Sequence, residues 1–379
     1  MIPFNKPFLT GKETQYITDA VHSGKISGNG KYTQLVHSFF EQRYGFKKCL
    51  LTTSCTDALE MAALLIDIQP GDEVILPSYT FVSTANAFVL RGAQLVFADS
   101  LPDHPNMDTS KLESLITSKT KAIIPVHYAG DACDMEAIMQ LAAKYNLYVI
   151  EDAAQSIDNT YTFANGTTKY LGGIGHLSAF SFHETKNIIS GEGGMLVIND
   201  DRFTHRAEII WEKGTNRSQF FRGEVDKYGW VDIGSSFLPS EIIAAFLYAQ
   251  LENMEQIQSK RKELWNHYHN LLLKQNVHGL RLPQTPSYSG NNAHMYYVVC
   301  DSLAQRTQLI HALKEAGVWA VFHYLSLHES PFYKEKHDGR LLPQSDRYSE
   351  TLLRLPLFYD LQLEEVEHIV RVMNEATIA

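Results

Sequence analysis

Between Lys48 and Ile150, short and wholly apolar runs alternate with stretches of helical periodicity, and this alternation leaves the chain few folds to choose from. Cys49–Thr52, Val74–Leu76, Leu95–Phe97, Ala122–Val126 and Leu147–Ile150 read as strands. Thr56–Ile66, Phe81–Leu90, Asp108–Ile116 and Met135–Tyr145 read as the helices between and after them. Strands without polar alternation are buried on both faces, so the pattern implies an α/β fold, a mostly parallel sheet with helices on both sides. Two later apolar runs, Leu177–Phe182 and Met195–Ile198, add strands. Upstream, a glycine-rich polar stretch, Ser23–Gly30, reads as a mobile loop before a helix over Thr33–Tyr44.

The second half is patterned differently. Pro239-Ser240-Glu241 reads as a helix start, and apolar residues from Ile243 to Leu272 keep helical spacing. The spacing predicts one long helix over about 240–276, roughly 50 Å at the usual rise per residue. Beyond it, a strand at Met295–Val299, a helix at Leu303–Ala316, a strand at Trp319–Phe322 and a helix at Glu364–Asn374 describe a small α+β unit. A chain of 379 residues exceeds what one core usually serves. The expected division is a large α/β domain over 1–250 and a small α+β domain over 251–379, joined by the long helix.

Charge narrows the partners. The chain carries 33 basic and 43 acidic side chains, a net −10 without long blocks, which argues against nucleic acid or an anionic membrane surface. The longest apolar run, Ile242–Ala249, is too short to span a bilayer, and the N-terminus lacks signal-peptide architecture. Cys49, Cys55, Cys133 and Cys300 show neither CxxC pairing nor zinc-ligand spacing, the usage of a reduced, cytoplasmic protein.

Candidate chemistry gathers where strands end. Lys186 follows the Leu177–Phe182 strand after a short polar turn and precedes Gly191-Glu192-Gly193-Gly194, so it sits between two core strands. An amine desolvated in that way loses its proton more easily and is a candidate Schiff-base nucleophile; a solvated loop lysine is the plainer reading. Thr53-Ser54-Cys55-Thr56-Asp57 joins a strand to a helix, where Ser54 or Thr56 caps the helix or the free N–H groups receive a phosphate. Asp152, in Glu151-Asp152-Ala153-Ala154-Gln155, caps a helix or pairs with a cation such as a protonated heterocyclic nitrogen. Phe81 packs in the core or stacks on a planar ligand. His127, His183, His323 and His328 lack the spacing of a metal site, and no GxSxG elbow occurs.

Taken in order, a phosphate-cradling turn (Ser54, Cys55, Thr56), an aromatic platform (Phe81), a carboxylate with a nearby amide (Asp152, Gln155) and a loop lysine (Lys186) are the parts that hold pyridoxal 5′-phosphate, PLP. These motifs resemble the nucleotide-sugar aminotransferases of PLP fold type I, the DegT/DnrJ/StrS-like family. The matching stretches are Gly71–Phe81, Val126–Gly130, Glu151–Gln155, Phe180–His183 with Lys186-Asn187, Gly191–Gly194 and Leu355–Phe358.

The resemblance implies a homodimer with shared active sites, Ser181 adding a hydroxyl at the phosphate, and Ser235 or Ser236 standing in for a partner asparagine that Leu238 replaces here. It implies a nucleotide-linked keto-sugar as substrate, dTDP-4-keto-6-deoxyglucose aminated at C4, with glutamate as amino donor. Lys25, Arg217 and Arg222 are the expected contacts to the nucleotide phosphates, and His183, His323, Tyr324 and His328 to the sugar. Amination of another keto-sugar, at C3 or to the gluco epimer, a sugar dehydratase, and a non-catalytic sugar-binding regulator stay open as alternatives. Lys186, Asp152 and Gln155 together favour amino transfer.

Overall fold

The computed structural model describes residues 1–378. Its strands are β1 (Lys48–Thr52), β2 (Glu73–Pro77), β3 (Gln94–Ala98), β4 (Thr120–Ile123), β5 (Tyr148–Asp152), β6 (Thr160–Thr162), β7 (Thr168–Tyr170), β8 (Leu177–Ser181), β9 (Gly194–Ile198), β10 (Leu280–Arg281), β11 (Tyr296–Cys300), β12 (Val321–Phe322) and β13 (Leu352–Leu355). Seven of them form one sheet in the order β1-β9-β8-β5-β4-β2-β3. Only β9 runs against its neighbours in that sheet, pairing antiparallel with both β1 and β8.

The apolar runs are explained by what each face meets. In β9, Leu196 and Ile198 pack into the cluster that contains Ala58, Leu59 and Trp211, while Met195 and Val197 pack with Phe40, Phe180 and Leu247 on the opposite face. Successive residues of a strand point to opposite faces, so a sheet covered on both sides needs apolar side chains at every position. Because β1, β2, β5 and β8 point the same way, their carboxyl ends form one edge. That edge is where a doubly covered sheet leaves a crevice for ligands. The second sheet, β10-β11-β13-β12, is antiparallel and covers its own apolar cluster together with the helices Met254–Gln275, Leu303–Glu315 and Leu363–Ile378.

The expected single helix over 240–276 is two helices, Glu241–Leu251 and Met254–Gln275. At the break, Asn253 N–H bonds the Gln250 carbonyl, three residues back, at 3.0 Å. The Asn253 side-chain amide takes the Ala249 carbonyl instead, at 2.9 Å. A side-chain donor has replaced one rung of the helical ladder, which is how a short polar residue interrupts a helix whose apolar spacing continues.

Further differences are local. Thr109–Leu115 is a 3₁₀ helix, not an α-helix. A helix over Glu13–His22 and the β6–β7 hairpin were not anticipated. The stretch over 23–30, read as a mobile loop, is tied down at its end. The buried carboxylate of Glu241 accepts from the N–H groups of Gly30 (2.9 Å), Tyr32 (2.7 Å) and Thr33 (3.2 Å), so it caps the helix Lys31–Tyr44 from another element.

Candidate active site

A cavity of about 1570 Å³ opens at the carboxyl edge of the large sheet, and elements from both sheets wall it. Ser54, Cys55, Thr56, Phe81, Asp152, Gln155, Ser181, His183, Lys186, His323 and Tyr324 all line it.

The helix Cys55–Leu65 starts at the end of β1, and Ser54 is its cap, its hydroxyl accepting from Asp57 N–H at 3.1 Å. Capping and anion binding are therefore compatible here, because the first-turn N–H groups at Cys55 and Thr56 have no helical acceptor. The backbone of β9 passes directly beneath: a Cβ at Gly194 would collide with the Ser54 carbonyl and Cys55 nitrogen. Gly191, at φ +80°, turns the loop between Lys186 and β9.

Asp152 ends β5, and no helix follows it, so the helix-capping reading falls away. Its carboxylate accepts from the Thr84 hydroxyl at 2.7 Å and from Ala154 N–H at 3.2 Å. Burial raises the Asp152 pKa above its ordinary value, opposed by the Thr84 and Ala154 hydrogen bonds and by Lys186. A cation delivered beside it would be held strongly. Gln155 accepts from Ala129 N–H at 2.7 Å and donates to the Tyr324 hydroxyl at 3.1 Å. Phe81 is not core: 55 % of it is exposed, and its ring centroid stands 6.1 Å from that of Tyr324.

Lys186 is half-buried in the cavity wall. Burial lowers the pKa of its amine, opposed by Cys55 and Asp152 and reinforced by Arg354. The next residue locks the loop. Asn187 gives both hydrogens of its amide to oxygens, Gln258 Oε1 at 2.8 Å and the Asn292 carbonyl at 2.9 Å. Its own oxygen must then accept from His294 Nδ1–H at 2.8 Å, which leaves His294 as the tautomer with a free Nε2. His323 is buried and stacked on Tyr324 at 3.5 Å between centroids, with Nδ1 2.8 Å from the Tyr128 hydroxyl. Burial, with Arg354 and Lys186 nearby, keeps both histidines well below their usual pKa and therefore neutral.

The other expected contacts do not enter this cavity. Lys25 is exposed and bonds the Asn29 carbonyl at 2.6 Å. Arg217 lies over the Phe221 ring, and Arg222 pairs with Glu208 and Glu224. Ser235 and Ser236 are exposed, the latter bridging to Glu212. His328 is buried behind the wall with Nδ1 2.7 Å from the Ser78 hydroxyl, so it is a packed histidine and not a ligand contact of this cavity. Sequence reasoning overlooked Thr84, His294 and Arg354, which line the cavity. Thr84 lies within a helix and the other two sit beside or within apolar strands, so nothing in the local pattern marked them.

The donor set fits PLP: unspent N–H groups and hydroxyls at one end, a carboxylate with a free face in the middle, an uncovered aromatic ring, and an amine inclined to be neutral. A large mostly parallel sheet, a smaller C-terminal sheet and this site define a PLP-dependent aminotransferase. The chain belongs to the DegT/DnrJ/EryC1/StrS aminotransferase family, whose sequence model matches residues 7–374. It is 30% identical over 383 residues to the spore coat polysaccharide biosynthesis protein SpsC of Bacillus subtilis, covering 99% of this chain and 96% of that one. Among solved structures it is similar to the aminotransferase TlmJ of Streptoalloteichus hindustanus, with 27% identity, TM-score 0.90, and 99% and 98% of the two chains covered. It is also similar to Spr1654 of Streptococcus pneumoniae in a PLP form, with 25% identity, TM-score 0.89, and 100% and 98% covered.

Proposed function

We propose that this aminotransferase moves an amino group from glutamate to C4 of dTDP-4-keto-6-deoxyglucose, giving dTDP-4-amino-4,6-dideoxygalactose, a precursor for surface polysaccharide. The reading is carried by one observation, the convergence of Lys186, Asp152 and Gln155 with the Ser54–Thr56 turn on one cavity. Similarity to a sugar-polymer protein, SpsC, supports a sugar substrate. The wording of Phe182–Asn187, Lys213–Gly223 and Phe322–Tyr324 resembles dTDP-4-amino-4,6-dideoxygalactose transaminase and supports the particular sugar.

When bound, PLP supplies an aldehyde to which amines attach and a ring that withdraws electrons from them. The protein's own part follows from the residues. Ser54, Cys55, Thr56 and Ser181 would hold the phosphate, and Phe81 would cover the ring face. Asp152, oriented by Thr84, would keep the proton on the ring nitrogen, while Gln155 would reach the ring hydroxyl. With the cofactor bound, the neutral amine of Lys186 would take a proton from Cα of the donor and pass it to the cofactor's C4′, and in the second half it would move a proton from C4′ to C4 of the sugar, ending each half neutral.

Product NMR tests the substrate. Incubating the protein with glutamate and the dTDP-keto-sugar should yield an axial C4 amine, read from the couplings of H4 to its ring neighbours. An equatorial C4 amine, or amination of a 3-keto sugar alone, would replace the substrate and leave amino transfer standing.

A further inference from the structure

Beside Lys186 a chain of hydrogen bonds ends on an acceptor that no donor of the described residues meets. Asn187, the next residue, gives its two amide hydrogens to Gln258 Oε1 and to the Asn292 carbonyl, so its oxygen faces His294 Nδ1. The Asn292 carbonyl can only accept, which fixes that orientation of the amide. His294 therefore carries its hydrogen on Nδ1, and Nε2 is a bare lone pair. The residue is also held in place. His294 N–H donates to Asn292 Oδ1 at 3.1 Å, and the buried guanidinium of Arg261 donates to the His294 carbonyl at 2.5 Å. Burial, with Lys186, Arg261 and Arg354 nearby, keeps the ring neutral. His294 is itself buried and lines the cavity, and with Nδ1 turned into Asn187 the Nε2 lone pair is what the ring has left to offer there. A buried acceptor without a donor is unfavourable, and a wall that keeps one suits a ligand that brings the hydrogen.

Of the two substrates, the sugar brings that hydrogen. The amino donor proposed above presents carboxylates, which are acceptors, and its amine is the group passed on. A keto-sugar presents hydroxyls. Asn187 follows Lys186 directly, so His294 stands one hydrogen bond from the loop whose lysine works at the reacting carbon. In 4-keto-6-deoxyglucose the hydroxyl beside the ketone is the one at C3; C5, on the other side, carries a methyl group. A neutral acceptor also meets a hydroxyl without the desolvation cost that a carboxylate would carry.

We infer that Nε2 of His294 accepts a hydrogen bond from the sugar hydroxyl beside the ketone, the 3-hydroxyl of the proposed substrate. His294 thereby selects sugars that keep this hydroxyl and turns the ketone toward Lys186. The inference rests on the keto-sugar reading of the site, and the nucleotide plays no part in it.

The experiment is a double-mutant cycle between the ring and the hydroxyl. Wild type, His294→Asn and His294→Gln each receive dTDP-4-keto-6-deoxyglucose and its analogue lacking the 3-hydroxyl, and kcat/KM is read for both sugars. An asparagine amide reaches where Nδ1 lies, so it keeps a donor for Asn187 and removes the Nε2 acceptor. A glutamine amide reaches where Nε2 lies, so it keeps an acceptor and gives up the tie to Asn187. Wild type should favour the hydroxylated sugar by roughly tenfold, the scale of one buried hydrogen bond. His294→Gln should keep part of that preference, and His294→Asn should treat the two sugars alike with KM for the amino donor unchanged. Where a variant turns over too slowly to time, calorimetric binding of the two sugars gives the same ratio. In cofactor-free protein at neutral pH, nitrogen-15 chemical shifts of the ring that disappears in His294→Asn should show hydrogen on Nδ1 and none on Nε2. A preference lost in His294→Gln but kept in His294→Asn would make His294 a tie for Asn187 alone and overturn the inference. Hydrogen on Nε2, or wild-type indifference to the 3-hydroxyl, would overturn it too. Wild type that aminates a different keto-sugar would sink the substrate reading instead, and the cycle would then be decided on that sugar and its analogue lacking the hydroxyl beside the ketone.

Discussion

At the scale of single residues, the charge on Lys186 is set by groups that pull in opposite directions. Burial and Arg354 lower its pKa, and Cys55 and Asp152 raise it, with the net result below the ordinary lysine value. The neutral, nucleophilic fraction therefore grows from a lower pH than for a solvated lysine, and each neighbour's sign can be tested. In cofactor-free protein, the pH profile for acetylation of Lys186 by acetic anhydride should have its midpoint below the ordinary lysine value. Asp152→Asn removes an influence that raises the pKa and should move the midpoint down; Arg354→Gln removes one that lowers it and should move the midpoint up. In cofactor-loaded protein, borohydride should fix the cofactor to Lys186, and Asp152→Asn should retain PLP while losing roughly a hundredfold or more in turnover. Near-normal turnover in that variant, or a cofactor-labelled peptide lacking Lys186, would remove these roles.

At the scale of elements, the end of β5 shows how much of the site could be read in advance. Glu151 and Asp152 are adjacent, so they point to opposite faces of the sheet. Asp152 enters the cavity, while Glu151, fully buried, accepts from Gly172 N–H (2.8 Å), Ile174 N–H (2.8 Å), Gly175 N–H (2.6 Å) and His127 Nε2–H (3.0 Å). Burial alone would raise the Glu151 pKa, but the His127 contact and the backbone donors outweigh it and hold it below the ordinary value. A folded pKa below the unfolded one contributes stability that is present above the unfolded pKa and is lost as pH falls through the folded one. Glu151→Gln sets an amide NH₂ among donors and should cost about 3 kcal/mol, read as a lowered Tm at neutral pH, with less difference from wild type in acid. A Tm unchanged at neutral pH would mean that the turn over 172–175 is held by packing alone.

The polar pair at the end of an apolar strand was visible in the sequence, as were the strands themselves, because a doubly covered sheet leaves no room for polar alternation. The break at Asn253 was not visible, since apolar spacing runs through it and one side-chain amide makes the difference. Arg354 was hidden for a related reason: it interrupts Leu352–Leu355, whose neighbours are all apolar. Its importance comes from the cavity beyond the strand, which local pattern cannot report.

At the scale of the molecule, the charge of the cavity bears on how the diphosphate of the proposed substrate would be held. Asp152, Glu192, Glu329, Asp346 and Glu350 line it, against Lys186 and Arg354 as the lysine and arginine of its wall, in a chain of net charge −10. The diphosphate of the proposed substrate would need cations, and Lys25, Arg217 and Arg222 do not line this cavity. The segment over 215–238, in which Thr215 bridges Trp230, carries Phe221, Tyr228, Trp230 and Val231 exposed. Exposed apolar side chains of that size, gathered on one segment, suit a contact surface. Among the described residues Arg217 makes none of the carboxylate pairs that occupy Arg222, and we propose that a second copy of the chain covers this segment and receives Arg217 at its cavity mouth. In a two-fold dimer each site would then take Lys186 from one chain and Arg217 from the other. Lys186→Ala and Arg217→Glu should each be nearly inactive alone. Mixed and allowed to exchange subunits, they should recover about a quarter of wild-type activity, because half of the dimers are hybrids and each hybrid has one intact site. Recovery should follow the rate of subunit exchange, measured with differently tagged chains. Complete exchange without any recovery would place all the parts of each site within one chain, and the diphosphate would then have to be held without Arg217.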